Sequence, residues 1–248
     1  MLKLLEFSRQ YLPDFFNRDI KSFDDPQGFI FWVCFIIIFL FIVFWRYIDR
    51  KEPEPKKIYI VLFLSGILLV YWVVAPINSF FASIAPLPIL AVFIGPAAEE
   101  ITKASIILLF VYGLKSCNQI KDGFIYGIVL AGGFSLIESY SKLAHEVEKL
   151  SQIPIILWIA LIIFFFLKLT MLHAMASGIF GYLAARGKLL KHKLDPILGL
   201  FIAITLHVIT NSLIIIWDLG YLPLGINLII LFTMLYVLSR PASNRVYT

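Results

Sequence analysis

Apolar runs of membrane-spanning length, separated by short charged stretches, set the rhythm of this chain from residue 29 onward. A helix needs about 20 apolar residues to cross a hydrocarbon core roughly 30 Å thick. Residues 29–45 (FIFWVCFIIIFLFIVFW) meet that requirement with no charged side chain, and 58–75 (IYIVLFLSGILLVYWVVA) form a second run. Further spans are predicted near 87–112, 123–140, 196–217 and 221–238. Residues 154–185 are too long for one upright helix and contain Lys168. They predict either one tilted helix or a short re-entrant piece before the part that carries His173. The pattern is that of an all-α, polytopic transmembrane helix bundle of about seven spans. The bundle is expected over 29–240, with 1–28 an N-terminal interfacial segment and 241–248 a C-terminal tail.

Composition excludes an ordinary soluble domain. Of 248 residues, 60% are hydrophobic and 15% charged, where a soluble chain carries roughly a quarter charged. The formal charge of +5 does not call for nucleic acid, because Lys and Arg sit in short patches between apolar runs. Basic loops on the cytoplasmic side account for that pattern. With seven spans and the N-terminus outside, Arg46, Arg50, Lys56, Lys57, Lys115, Lys121, Arg186, Lys188, Lys191 and Lys193 all fall inside. Residues 1–28 mix charges with aromatics and read as an amphipathic interfacial stretch rather than a cleavable signal peptide. Cys34 and Cys117 are expected to be reduced.

Against that background the ionisable residues inside the spans stand out. Each costs on the order of 3 kcal/mol at the centre of a spanning helix. The third span carries Glu99, Glu100 and Lys103, the fourth Glu138, the fifth His173, and the sixth His207 with Asn211. At 1.5 Å rise per residue, Glu99, His173 and His207 each lie about 16–18 Å from one end of their helix, near the midplane. Four helices thus deliver polar groups to nearly one level. An ion pair of Lys103 with Glu99 (i, i+4) or Glu100 (i, i+3) would neutralise only one of the two carboxylates. A lone histidine or Glu138 alone would be an ordinary interhelical hydrogen-bonder; together they suggest a site. Small residues recur every fourth position at Gly123, Gly127, Ala131, Ser135 and Ser139, and again at Ser177, Gly181 and Ala185. Such stripes let helices pack closely, and they turn Glu138 toward the bundle.

These residue types can activate a water. Crowded carboxylates in low dielectric supply a base or a proton donor, and a histidine or the Asn211 amide can donate to a developing oxyanion. Glu100, Glu138, His173 and His207 are also the ligand types that hold zinc with an open position for water. The spacing is not the HExxH pattern, so metal-assisted and purely carboxylate-based hydrolysis both stand.

The order of these motifs resembles the PrsW family of intramembrane proteases, within the CAAX prenyl endopeptidase and bacteriocin-immunity superfamily. The resemblance runs over about 45–217. It takes in the proline-containing basic turn YIDRKEPEPKK, an EExxK motif at Glu99, Glu100 and Lys103, and an FxxxE motif at Phe134 and Glu138. His173 in LHAMASGIFGY, and His207 with Asn211 in HVITN, complete it. Lys168 stands where the family pattern has arginine, and Glu138 where the prenyl endopeptidase branch has histidine, so prenylated tails are not the expected substrate. The resemblance implies cleavage of a membrane-anchored protein near the bilayer surface, with an anti-sigma factor as the founding example's substrate.

The expected function is therefore intramembrane peptide-bond hydrolysis by Glu/His-activated water. Glu99 and Glu100 would supply the base, Lys103 would fix one of them, and Glu138 and His173 would complete the water or metal environment. His207 and Asn211 would meet the oxyanion or a zinc ion. A non-catalytic interaction or immunity protein on the same scaffold is the alternative. A proton-coupled transporter would show an inverted repeat, and none is visible. The expected setting is the plasma membrane of a bacterium or archaeon, with the lipid bilayer and a membrane-anchored protein as partners.

Overall fold

The computed structural model describes residues 26–50, 52–84, 90–144, 155–215 and 222–239. Of the interfacial segment expected over 1–28, residues 1–25 lie outside the described residues, as does the tail over 241–248, and 26–28 belong to the first helix. Among the described residues there are eight α-helices, α1 (Pro26–Ile48), α2 (Lys56–Leu69), α3 (Ala75–Ala82), α4 (Gly95–Gly113), α5 (Ile120–Ala144), α6 (Ile155–Leu190), α7 (Asp195–Ile215) and α8 (Leu222–Ser239). A π-helical turn at Val70–Val74 joins α2 to α3, and another at Leu90–Ile94 leads into α4. The described residues thus make seven helical rods and no strand, the all-α membrane bundle that the apolar runs predict.

Five rods are long and apolar enough to cross a membrane, namely α1, α2 with α3, α5, α6 and α7. The rod of α4 is charged by Glu99, Glu100 and Lys103, and α8 has the shorter apolar stretch Gly225–Met234. Both π-helical turns end two residues before a proline, Pro76 and Pro96. A proline inside a rod has no N–H to donate, and its ring meets the carbonyl one turn back. Widening that turn keeps the rod continuous. Helix α6 settles the two readings of the fifth span. It is one unbroken helix of 36 residues, about 54 Å long at 1.5 Å per residue, with Lys168 buried inside it.

Helix α5 is the axis of the bundle. Nearly every residue from Ile120 to Ser139 is buried, and α6, α2, α1 and α4 all pack on it. The stripe of small residues is what brings α6 so near. A Cβ on Gly123 would lie 2.1 Å from the Gly181 carbonyl oxygen, and one on Gly127 would lie 2.0 Å from that of Ser177. The opposite side of α5 does the same with α2, where a Cβ on Gly133 would stand 1.9 Å from the Phe63 oxygen. The core around it is aliphatic and aromatic, with Phe124, Tyr126, Ile128, Leu130 and Phe134 almost wholly buried.

The short turns at the basic end are tied by the residues that the charge pattern assigns to topology. Lys188 donates to the carbonyls of Val111 (2.7 Å), Leu114 (2.9 Å) and Cys117 (3.0 Å), which closes the C-terminus of α4. Arg186 makes a forked contact with Asp195 at 2.7 and 3.0 Å. Lys121 lies 2.8 Å from Asp49, whose other oxygen accepts from the Glu54 N–H at 3.2 Å. Asp122 accepts from the backbone N–H groups of Asn118 and Gln119 ahead of α5. Cys34 and Cys117 are free thiols, and burial pushes that of Cys117 up to about 12.

Replacing Gly127 by Ala should destabilise the protein by about 1–3 kcal/mol through overpacking, seen as a lower unfolding midpoint in detergent. Gly225→Ala, where nothing lies within 4 Å of the added carbon, should leave the midpoint unchanged or raise it slightly. Equal midpoints for the two variants would mean that α5 and α6 are free to separate.

Candidate active site

The EExxK segment begins one turn after Pro96, on the first turns of α4. Glu99, Glu100 and Lys103 are all buried, and their spacing turns them toward α5, α6 and α7. Of the two ion pairs open to Lys103, the structure forms the i, i+3 one. Its ammonium donates to Glu100 Oε1 at 2.5 Å and lies 2.9 Å from His173 Nδ1 on α6. It also sits 4.5 Å above the Phe134 ring from α5, a cation–π contact that strengthens when desolvated.

The proton positions follow from the partners. An ammonium only donates, so His173 Nδ1 accepts and Nε2 carries the hydrogen. That Nε2–H points at Glu138 Oε2, 2.5 Å away on α5. Glu100 only accepts, so His207 Nδ1 carries the hydrogen that reaches Glu100 Oε1 at 2.9 Å. His207 Nε2 is thereby left with a lone pair. The two imidazoles meet edge to face with centroids 4.9 Å apart, and Phe134 closes on His173 at 5.0 Å.

Glu99 differs from its neighbours. Its Oε2 is buried without a hydrogen-bond partner, and His207 Nε2 lies 3.9 Å away. Glu100 has Lys103 and Glu138 has Lys142, whereas no cation is paired with Glu99 among the described residues. A buried, unpartnered carboxylate is costly, and this one sits beside the imidazoles of His173 and His207.

The structure therefore brings together six of the seven residues singled out in the sequence: Glu99, Glu100, Lys103, Glu138, His173 and His207. Asn211 lies one helical turn beyond His207 on α7 and is only partly buried. Lys142, four residues after Glu138 on α5 and paired with it, was not among the residues singled out in the sequence. Its i+4 spacing from Glu138 was the available signal.

Glu99, His173 and His207 each offer a ligand atom, and these atoms all lie within 4.8 Å of one another. Carboxylate oxygen and imidazole nitrogen are the donors of catalytic zinc sites. Glu99 Oε2 and His207 Nε2 are uncommitted, and Glu100 holds the far nitrogen of His207 as carboxylates do behind metal-bound histidines. His173 contributes a nitrogen only by giving up one of its two present contacts. The donor set fits a metal, with Glu99 in the place where the sequence suggested Glu100 or Glu138.

A family model described as PrsW family intramembrane metalloprotease matches residues 54–239, roughly three quarters of the chain. No curated protein and no solved structure matches.

Lys103→Met should strand the Glu100 carboxylate in the bundle and cost about 3–5 kcal/mol. Adding Glu100→Gln should recover much of that loss. Folded yield and detergent unfolding would measure both, and a Lys103→Met protein as stable as the parent would show that the pair does not form.

Proposed function

The chain belongs to the PrsW family of intramembrane metalloproteases, and on that premise we propose that its Glu/His cluster hydrolyses a peptide bond of a membrane-anchored protein near the outer face of the bilayer. The unpaired Glu99 carboxylate beside two imidazoles carries this reading, because every other charge in the cluster has an opposite partner. Glu99 Oε2 is the atom that takes the proton of an attacking water. His207 Nε2, 3.9 Å from it, is the neighbouring acceptor, its ring oriented by the Nδ1–H bond to Glu100. The Asn211 amide, one helical turn beyond His207, is the donor for the developing oxyanion, while His173 is held in place by Glu138 and Lys103. Lys103 neutralises Glu100 and so confines the free negative charge to Glu99.

Glu99, His173 and His207 are also the residues that would hold a zinc ion. When bound there, zinc would lower the pKa of a water and polarise the peptide carbonyl.

Depth supports cleavage toward one surface. From the ends of α5 and α7 that meet the basic turns, Glu138 lies 18 residues in and His207 12, about 27 and 18 Å along the axes. The positive-inside rule assigns those turns to the cytoplasm. The protein is multi-pass; we place it in the plasma membrane of a bacterium or archaeon, with an anti-sigma factor as the candidate substrate implied by the family resemblance.

Mass spectrometry of ectodomains released from cells expressing wild type or Glu99→Gln tests the proposal. Release should fall by a factor on the order of 10² or more, as for loss of a general base. Folded yield should hold, since Glu99 has no ion pair to lose. Equal release from both would sink the assignment, and no release from either would favour a non-catalytic interaction protein. Zinc chelation of the purified enzyme, followed by zinc add-back, should abolish and restore cleavage if the ion is used. Chelator-resistant cleavage would leave the carboxylates as the whole machinery.

A further inference from the structure

Six side chains from four helices form one run of contacts: Lys142, Glu138, His173, Lys103, Glu100 and His207. Cations and carboxylates alternate along it, with an imidazole after each carboxylate. Five members belong to the motifs that define the site. Lys142 does not, and it occupies the outermost place. Its side chain is 50% exposed, that of Glu138 16%, and that of His173 is fully buried.

Glu138 is held by both oxygens. Oε1 accepts from Lys142, and Oε2 faces the His173 Nε2–H. The clamp is built within α5 itself, since Glu138 and Lys142 are one turn apart. The same helix is fixed against α6 by the glycine contacts at Gly123 and Gly127. An unclamped Glu138 could rotate away from His173. With Lys142 in place, Glu138 keeps its orientation, and its Oε2 stays on the His173 Nε2–H while Nδ1 receives Lys103.

We propose that Lys142 is a positioning residue for hydrolysis, holding Glu138 so that Glu138 fixes the ring and the proton of His173. This rests on the hydrolytic function proposed above. It assigns Lys142 a role beyond membrane topology and requires a cation at that position, not a side chain of that size.

The test uses purified full-length enzyme in detergent and, as probe, a purified single-span protein whose ectodomain the wild type releases. Lys142→Met should lower kcat on the order of 10- to 100-fold, the usual effect of losing a group that orients a site histidine, with KM unchanged. Lys142→Arg should restore most of the rate. Lys142→Met added to Glu138→Gln should cause little further loss, because the two act as one unit. A Lys142→Met enzyme with wild-type kcat overturns the proposal, and so does a raised KM at unchanged kcat, which would mean that Lys142 touches the substrate. Should Lys142→Met fail to fold, Lys142→Gln reads the same outcomes.

NMR of nitrogen-labelled histidines in the purified protein gives a readout independent of cleavage. The His173 signal should report the Nε2–H tautomer in wild type and a mixture in Lys142→Met. An unchanged tautomer in Lys142→Met overturns the positioning role even where proteolysis is secure. The expected shift in a protein that cleaves nothing would instead sink only the hydrolytic function.

Discussion

The backbone contact between α5 and α6 is the constraint on which the remaining geometry depends. At Gly123 and Gly127 there is no room for even a methyl group between one helix and the carbonyls of the other. Lipid provides no hydrophobic force to hold helices together, so close packing of small residues is among the few sources of attraction left. That contact sets the separation at which Glu138, further along α5, meets His173 on α6. Gly66 and Gly133 apply the same device between α2 and α5, and α5 becomes the fixed reference for the bundle.

Charge is handled just as strictly once that reference exists. Lys103 serves Glu100, His173 and the Phe134 ring at once, and a single misplaced partner would leave a bare ion in a low dielectric. The result is a network whose members are nearly all satisfied by one another. Glu99 Oε2 is the exception. The other charges of the cluster are paired, and one carboxylate is left beside two imidazoles; the proposed hydrolysis takes that carboxylate as its base. Family membership as a protease is the premise of that proposal.

Much of this was legible in the sequence because membranes simplify the code. Runs such as 29–45 can hardly be anything but spans, and the four-residue recurrence from Gly123 to Ser139 announces a packing face. The convergence of Glu99, Glu138, His173 and His207 followed from depth alone. Depth does not choose partners, however. Both Glu99 and Glu100 can reach Lys103 along α4, and only the position of His207 on α7 decides for Glu100. Lys142 was hidden because a charge near a helix end looks like topology. The continuity of α6 across Lys168 and the π-helical turns before Pro76 and Pro96 depend on neighbouring helices that no local pattern reports.

Lys188 gives α4 a fulcrum. By gripping the carbonyls of Val111, Leu114 and Cys117, it pins the end of α4 that lies farthest from Glu99 and Glu100. The other attachment of α4 is the charged one at Lys103 and Glu100, so any displacement of α4 against α6 about the pinned end is greatest where that attachment and the widened turn before Pro96 are found. The lever arm from Val111 back to Glu99 spans twelve residues, about 18 Å. A tilt of a few degrees about the pinned end therefore moves the Glu99 carboxylate by about an ångström while the basic turns stay closed.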